Sequence, residues 1–503
     1  MKTSSSKFKK IKLLVPLALM TVVLGACSST SSNSTTSTGN SSSQTATGTS
    51  TKTETSNYFS DSDSDASYDE SSATKITLNG SSAESSGDGV SVSGSTVTIS
   101  KAGTYVLSGK SENVQVVVNA SEQDEVKIVL NGVTMTNTDA ALLVEQSSKT
   151  TITLAEGSKN SITDSSNHSD TDVDAAIYSK SDLTLNGSGN LTVDGQYENA
   201  IKSKGTLRVT DGNYTVKATK HGLVANDAIN IKEATVKITA TEDAIHSDND
   251  DDTSLGNVYI QSGNITINAG DDGIHASNAA LIDGGTINVE SSVEALEGKT
   301  VTINDGALDL TSSDDGINAS DGSGGEGAPG QATLGVSLTI TGGTVKVKAD
   351  GDGLDSNGDL TITGGEVYVD GPTDGGNGAL DYDGNGSVTG GKVIIIGSNG
   401  MAMGFGSNST QASVLTTVSG SAGDKITITD SSGKEILSYT AAKDFQSILA
   451  SSSDMKDGES YTITVNGKST TATASLTTQN GNAQGGGPGG GAPGGNGQGP
   501  GRQ

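Results

Sequence analysis

The sequence predicts an all-β protein in which three short strands per coil stack into a right-handed parallel β-helix, closed by a small C-terminal β cap. Two observations carry this expectation. Between Asp172 and Ile396 one phrase keeps returning: Ala175-Ala176-Ile177-Tyr178-Ser179, Asn199-Ala200-Ile201-Lys202-Ser203, His221-Gly222-Leu223-Val224-Ala225, Asp243-Ala244-Ile245-His246-Ser247, Asp272-Gly273-Ile274-His275-Ala276, Glu294-Ala295-Leu296-Glu297-Gly298, Asp315-Gly316-Ile317-Asn318-Ala319 and Asp352-Gly353-Leu354-Asp355-Ser356, with Asn377-Gly378-Ala379-Leu380-Asp381 as a looser ninth copy. The steps Ile201 to Leu223, Leu223 to Ile245 and Ile274 to Leu296 are each 22 residues, a structural repeat period. Longer steps carry polar inserts. The second observation is an apolar alternation downstream of each anchor: Leu338, Ile340, Val345 and Val347 alternate with polar residues on either side of Gly342-Gly343, and the figure returns at 360–369 and 281–289. Two period-2 strands meeting at a glycine corner, where positive φ is allowed, complete a three-strand repeat. No helical periodicity interrupts it between Ala73 and Gly400. A fixed period of this kind marks stacked coils rather than an antiparallel sandwich.

The elements come in order along the chain. Residues 1–27 read as a bacterial lipoprotein leader: Lys2, Lys7, Lys9, Lys10 and Lys12 precede the apolar run Leu13 to Leu24, which ends at Cys27. That run is shorter than the ~20 residues a membrane span needs. Cys27 is the only cysteine of the chain, so no internal disulfide forms and its thiol is free for lipidation. Acyl chains would hold the protein extracytoplasmically on a cell membrane. Residues 28–72, rich in Ser and Thr, read as a disordered tether, with Asp61, Asp63 and Asp65 as a solvated charge run. The β-helix is expected over 73–406, opening with irregular entry strands and interrupted by surface inserts at 248–256 and 321–334. A β cap is expected over 407–476 and a disordered Gly/Pro-rich tail over 477–503.

Composition narrows the function. A hydrophobic content of 31%, with four Phe and no Trp, suits thin inward stripes better than a large globular core, and it leaves little for flat aromatic sugar platforms. A net charge of −29 argues against nucleic acid and against direct binding of any anionic partner. A monomer is expected.

Stacked coils place equal positions in columns about 4.8 Å apart per step. Two places before the anchor, the column reads Asn199, His221, Asp243, Asp272, Glu294, Asp315, Asp352; one place after it, Lys202, Val224, His246, His275, Glu297, Asn318, Asp355, Asp381. Asp271 and Asp314 add further acids. Like charges one step apart repel by roughly 3 kcal/mol at an effective dielectric of 20, so either the carboxyl pKa values rise or cations bind. Oxygen donors in this number suit calcium, and Asp243, Asp271, Asp272, Glu294, Asp314, Asp315, Asp352, Asp355, Asp381 and Asp383 are the candidate ligands. Asp381-Tyr382-Asp383-Gly384-Asn385-Gly386 matches the opening of a calcium loop, although Lys392 stands where an EF-hand needs Glu. The competing reading is a solvated acidic ladder that only keeps the protein soluble. His246 and His275 occupy equivalent places and a transition metal would fit between them, but two imidazoles among acids read first as surface residues. For catalysis no acid pair stands out from the rest. A lyase base would have to come from Lys202, Lys204, Lys220 or Lys299, since Arg208 and Arg502 are the only arginines. No nucleophile motif, phosphate loop or dinucleotide fingerprint is present.

The phrases Ile76 to Gly80, Ala102 to Gly109 and Val129 to Val133, with the returning Asp-Gly-Ile units, resemble bacterial β-helix carbohydrate-binding proteins of cellulose-degrading clostridia over about Ala73 to Leu476. The resemblance implies a fold similar to pectate lyases, bound calcium, and binding of cellulose-type or acidic, polygalacturonate-like polysaccharide without established cleavage. It carries no individual ligand over, and the Gly/Pro tail departs from it. The expectation is thus a cell-surface, polysaccharide-binding lipoprotein. A calcium-dependent lyase or hydrolase, and a calcium-rigidified adhesin or envelope spacer, are the alternatives.

Overall fold

The computed structural model describes residues 58–322 and 331–478. They form an all-β structure with one helical turn, Asp61–Ser64, and a large, mostly parallel sheet. Among the described residues no helix is long and apolar enough to cross a membrane. The leader with Cys27, the tether up to residue 57 and the tail from 479 lie outside the described residues.

Pairing obeys the repeat. The anchors are direct Cα partners in one parallel ladder: Ile177 pairs Ile201, Ile201 pairs Leu223, and the series continues through Ile245, Ile274, Leu296 and Ile317 to Leu354. A bridge from Leu354 adds Leu380, and Val97, Val116 and Leu142 extend the ladder upstream. A second parallel ladder carries Leu183, Leu207, Ile229, Val258, Ala280, Val301, Leu338 and Leu360. A third carries Val193, Val216, Ile238, Ile267, Val289, Leu310, Val347 and Val369. Each period contributes to every ladder, the continuous strands Ile274–Ile282 and Leu296–Ile303 each serving the first and second together, so equivalent positions pair one period on.

Alternation decides which side chains turn inward. Strands Thr235–Ala240 and Thr344–Ala349 bury every second residue, and the inward residues of all three ladders merge into one apolar cluster. Burying an Ile, Leu or Val contributes about 1.5–3 kcal/mol, and stacking makes every period do so against its neighbours. The small residue before each anchor has a steric cause: a Cβ on Gly316 would lie 2.1 Å from Val347 Cγ1 and 2.5 Å from Gly353 O. At the corner between the second and third ladders, Gly343 and Gly365 take φ of 76° and 81°. In the one repeat with Ala234 at that corner, the positive φ shifts to Glu233, at 57°.

The ends differ from the middle. Thr74–Gly80 folds back on Ser82–Ser86 as an antiparallel hairpin while pairing in parallel with Gly103–Glu112, which gives the edge a partner. At the other end Lys392–Gly397 is met antiparallel by Phe445–Ser452, which also pairs Ser413–Gly420. A separate antiparallel sheet of Lys425–Thr429, Glu435–Thr440, Ser460–Val465 and Lys468–Thr473 carries its own core around Ile426, Ile428, Tyr461 and Ile463.

One expectation is corrected. The segment expected to belong to the unpacked tether as far as Ser72 is docked from Tyr58 onward, across the outer side of the second ladder. The Tyr58 ring stacks on Tyr259 at 3.9 Å, and Arg208 Nε and Asn230 Nδ2 both donate to Tyr58 O. Asp63, read from sequence as part of a solvated run, is 1% exposed. Its carboxylate accepts from Ser60 N and Oγ, from Thr184 Oγ1 at 2.9 Å and from Lys149 Nζ at 3.2 Å, and its carbonyl accepts from Asn186 and Thr210. Burial alone would raise this carboxyl; the Ser60 and Thr184 hydrogen bonds and the Lys149 charge hold it below the usual range. Composition could not show this, because the partners are scattered from Lys149 to Thr210.

Gly316→Ala is expected to lower unfolding free energy by about 1–3 kcal/mol in denaturant titration, because Val347 and the Gly353 carbonyl must move. Asp63→Ala removes several charge-assisted hydrogen bonds. It should speed amide exchange over residues 58–72 by roughly tenfold or more, with Thr344–Ala349 unchanged.

Candidate functional site

The outward residues flanking the anchor ladder stack in the same register as the anchors, so the two columns expected from sequence exist as rows of side chains. The column before the anchor is held by hydrogen bonds that climb it. Asn199 Oδ1 accepts from His221 N, His221 Nδ1 from Asp243 N, Asp243 Oδ1 from Asp272 N at 2.9 Å and Asp272 Oδ1 from Glu294 N. Further on, Asp315 Oδ1 accepts from Asp352 N at 2.6 Å and Asp352 Oδ1 from Gly378 N at 2.5 Å. One oxygen of each of these four Asp side chains thus ties adjacent repeats together, while the second is left for the column's outer side. A short polar acceptor suits this geometry, and Asn199, His221 and the four Asp supply it, with Glu294 the longer exception.

The rows divide chemically into two parts. Toward the N-terminal end are imidazoles: His221 stacks on His246 at 4.3 Å between ring centroids, and His246 on His275 at 5.0 Å. His246 Nδ1 lies 2.6 Å from Asp243 Oδ2, and His275 Nδ1 contacts Glu297 and lies 3.4 Å from Asp272 Oδ2. Burial would lower His275, but hydrogen bonds to Asp272 and Glu297 push it up to about 10, making it a fixed cation at neutral pH. Burial and the nearby His246 push His221 down to about 3, so it stays neutral. The Asp243 carboxyl, raised by burial, is brought below the usual range by the His246 hydrogen bond.

Toward the C-terminal end the donors are all carboxylate. Asp315, Asp352 and Asp355 each place an oxygen within 4.8 Å of the others. Burial, reinforced by their mutual repulsion and by Asp381, pushes them up to about 6, 7 and 8 respectively. Between the two parts, Asp272, Glu294 and Glu297 form another group within 4.8 Å. There burial and the neighbouring acids push Glu294 up to about 8, and burial pushes Asp272 to about 6. Asn318 Nδ2 donates to Glu294 Oε2 at 3.1 Å.

Of the residues singled out by sequence, Asp243, Asp272, Glu294, Asp315, Asp352 and Asp355 stand in these groups. Asp381 lies close enough to raise Asp355 and Asp352. Asp271 and Asp314 are exposed beside the column. Asp383 lies close enough to Asp381 to raise its carboxyl, while the Asn385 amide is bonded to Asp359 at 3.1 Å and Tyr382 between the two acids turns inward to donate to Gly404 O. The candidate ligand set also omits His221, His246, His275 and Glu297, which the structure places in contact with it. Their signal was their equal position in the repeat.

Beside the imidazoles the acidic insert at 248–252 and Lys202, Lys204 and Lys220 border a groove of about 690 Å³. Lys202 is held by Asp174 at 2.6 Å.

Known proteins share parts of this chain. A family model described as carbohydrate-binding domain-containing protein matches residues 93–335. A carbohydrate-binding domain-containing protein of Acetivibrio thermocellus is 38% identical over 128 residues, 24% of this chain and 45% of that protein, so the match spans less than half of the relative. The structure of a polysaccharide lyase-like protein from C. thermocellum, a gadolinium derivative, superposes with a TM-score of 0.41 at 33% identity, covering 43% of this chain and 94% of that one. The matched family region includes Asp243 to Asp315, while Asp352 and Asp355 lie beyond it.

The raised carboxyls give a signed pH dependence for metal-free protein. A carboxyl whose folded pKa exceeds its unfolded value, near 4, contributes stability that is complete below about pH 4 and lost as pH rises through its folded pKa. Asp272, Asp315, Asp352, Asp355 and Glu294 therefore predict a melting temperature in chelator that falls between about pH 5 and 8. His221, depressed, opposes this with a single group below about pH 6.5. Calorimetric scans across that range check it; a melting temperature that rises steadily from pH 5 to 8 in chelator would contradict it.

Proposed function

We propose that this chain is a carbohydrate-binding protein whose three ladders are the faces of a right-handed parallel β-helix, and that calcium at the carboxylate column bridges it to an acidic, polygalacturonate-like polysaccharide. The observation that carries this reading is the convergence of Asp315, Asp352 and Asp355, three partly buried carboxyls with raised pKa values. A hard divalent ion answers that arrangement: it neutralises several charges at once and takes roughly six to eight oxygens. Three protein carboxylates, with Asp381 adjacent, leave positions for water or for carboxylates and hydroxyls of a sugar. The overall charge of −29 requires such a bridge, since the protein and a polyuronate otherwise repel.

The family match over residues 93–335 supports carbohydrate as the partner class. Closure of the ladders into a right-handed helix is supported by the equal-position parallel register and by the handedness that parallel crossovers take. Cys27, ending the basic and apolar leader, would carry lipid and present the binding domain on the outer face of a cell membrane. The protein is read as a monomer.

Titration calorimetry of the full-length protein tests the site. Calcium uptake is expected, with polygalacturonate binding that weakens at least about tenfold in chelator, a loss of about 1.4 kcal/mol or more. The double substitution Asp352→Asn and Asp355→Asn should abolish uptake at this position and reduce glycan affinity with it. Glycan binding indifferent to chelator would remove the bridge and leave carbohydrate binding standing. Absence of calcium uptake would return the acids to a solvated ladder, and release of unsaturated uronates, monitored by ultraviolet absorbance, would turn the module into a lyase.

A further inference from the structure

We propose that the N-terminal end of the column is a second, chemically distinct metal site, at which His221, Asp243 and His246 bind a borderline divalent transition ion of the zinc class. The site is separate from the all-oxygen group at Asp315, Asp352 and Asp355 and does not depend on what glycan the protein binds.

Three features carry it. A ring nitrogen from each histidine and a carboxylate oxygen of Asp243 lie within 4.8 Å of one another, delivered by two successive repeats whose backbones are locked in register. The donors are nitrogen and oxygen in the ratio two to one, which calcium does not favour and zinc, cobalt or nickel does. The spacing is close to that of a first coordination shell. Ligand atoms about 2.05 Å from a tetrahedral ion are about 3.4 Å apart. His221 Nδ1 already lies 3.5 Å from Asp243 Oδ2. His246 Nδ1 lies 2.6 Å from the same oxygen, so that contact must open by less than an ångström; the ion then takes the place of the proton between them, which leaves to solvent.

Burial prepares two of the three ligands. Asp243 is 5% exposed and His221 8% exposed, and Asp243 is fixed through its other oxygen, Oδ1, by the Asp272 N–H. His221 accepts the Asp243 N–H on Nδ1 at 3.2 Å and turns Nε2 toward Glu242 at 3.3 Å, so Nδ1 is the unprotonated nitrogen, and an ion bound there displaces this long hydrogen bond and turns the Asp243 N–H away. The next ring in the stack is different. His275 Nδ1 lies against Asp272 and Glu297, further along the column. His221 and His246 both line the groove of about 690 Å³, toward which a fourth coordination position would open for water or a ligand group.

Cobalt(II) is the probe, because intense visible bands report the low-coordinate shell expected here rather than the six-coordinate shell of an all-oxygen, water-rich site. Titrated into full-length protein already saturated with calcium, it should bind at one equivalent with intense visible bands and be displaced by zinc but not by more calcium. His246→Ala should lose affinity at least tenfold while calcium uptake is unchanged, and Asp352→Asn should leave the cobalt spectrum unchanged. X-ray absorption of the zinc form of the unaltered protein, which needs no variant to fold, should show two imidazoles around the metal. Cobalt that calcium displaces, a spectrum indifferent to His246→Ala, or an oxygen-only shell would each overturn the proposal.

Discussion

The register of the anchor ladder is the constraint on which everything else in this molecule depends. Parallel pairing of each strand with its equivalent one period on stacks identical positions directly upon one another. Inside, this helps: Ile meets Leu, Val meets Ile, and a thin apolar stripe per repeat becomes a continuous core. The close approach of neighbouring backbones then restricts the residue before the anchor to Gly or Ala, which is why Asp-Gly-Ile and Asp-Ala-Ile alternate.

Outside, the same register works against the fold. Acids at one position face acids one step away, and the polypeptide meets that repulsion by several means. Backbone N–H groups donate to Asp243, Asp272, Asp315 and Asp352, each stabilising one carboxylate oxygen and cross-linking two repeats. His275 supplies a cation between Asp272 and Glu297. Where neither suffices, at Glu294, Asp352 and Asp355, the pKa values rise and protons are retained. The two ends of the column thus differ in the donors they offer, imidazole with carboxylate at one and carboxylate alone at the other.

Stacking also leaves two ends and a long outer side. The first strand folds into a hairpin, the last parallel strand is met by antiparallel partners, and the segment from Tyr58 to Ser72 lies over the second ladder with Asp63 as its buried anchor point. That anchor is ionic and the rest of the contact mixes aromatic stacking with hydrogen bonds. Every contact partner named for this segment lies on the repeats from Lys149 to Tyr259, so docking reads a surface that exists only once several repeats are assembled.

The sequence by itself determined the all-β class, the parallel repeat, its register and the two columns, because periodicity is a one-dimensional property that survives into the ladder unchanged: the anchors that the period aligns are the Cα partners found in space. It also located most of the acids that converge. What it could not determine was which of many acids share a centre. Asn385, which the loop pattern put beside Asp381 and Asp383, turns its amide to Asp359 instead, whereas Asp315, Asp352 and Asp355 meet across the insert at 321–334. Nor could it reveal that Asp63 is buried, or that His221 stays neutral while His275 stays charged. Those properties depend on burial and on neighbours brought together from distant repeats, and only the tertiary structure decides them.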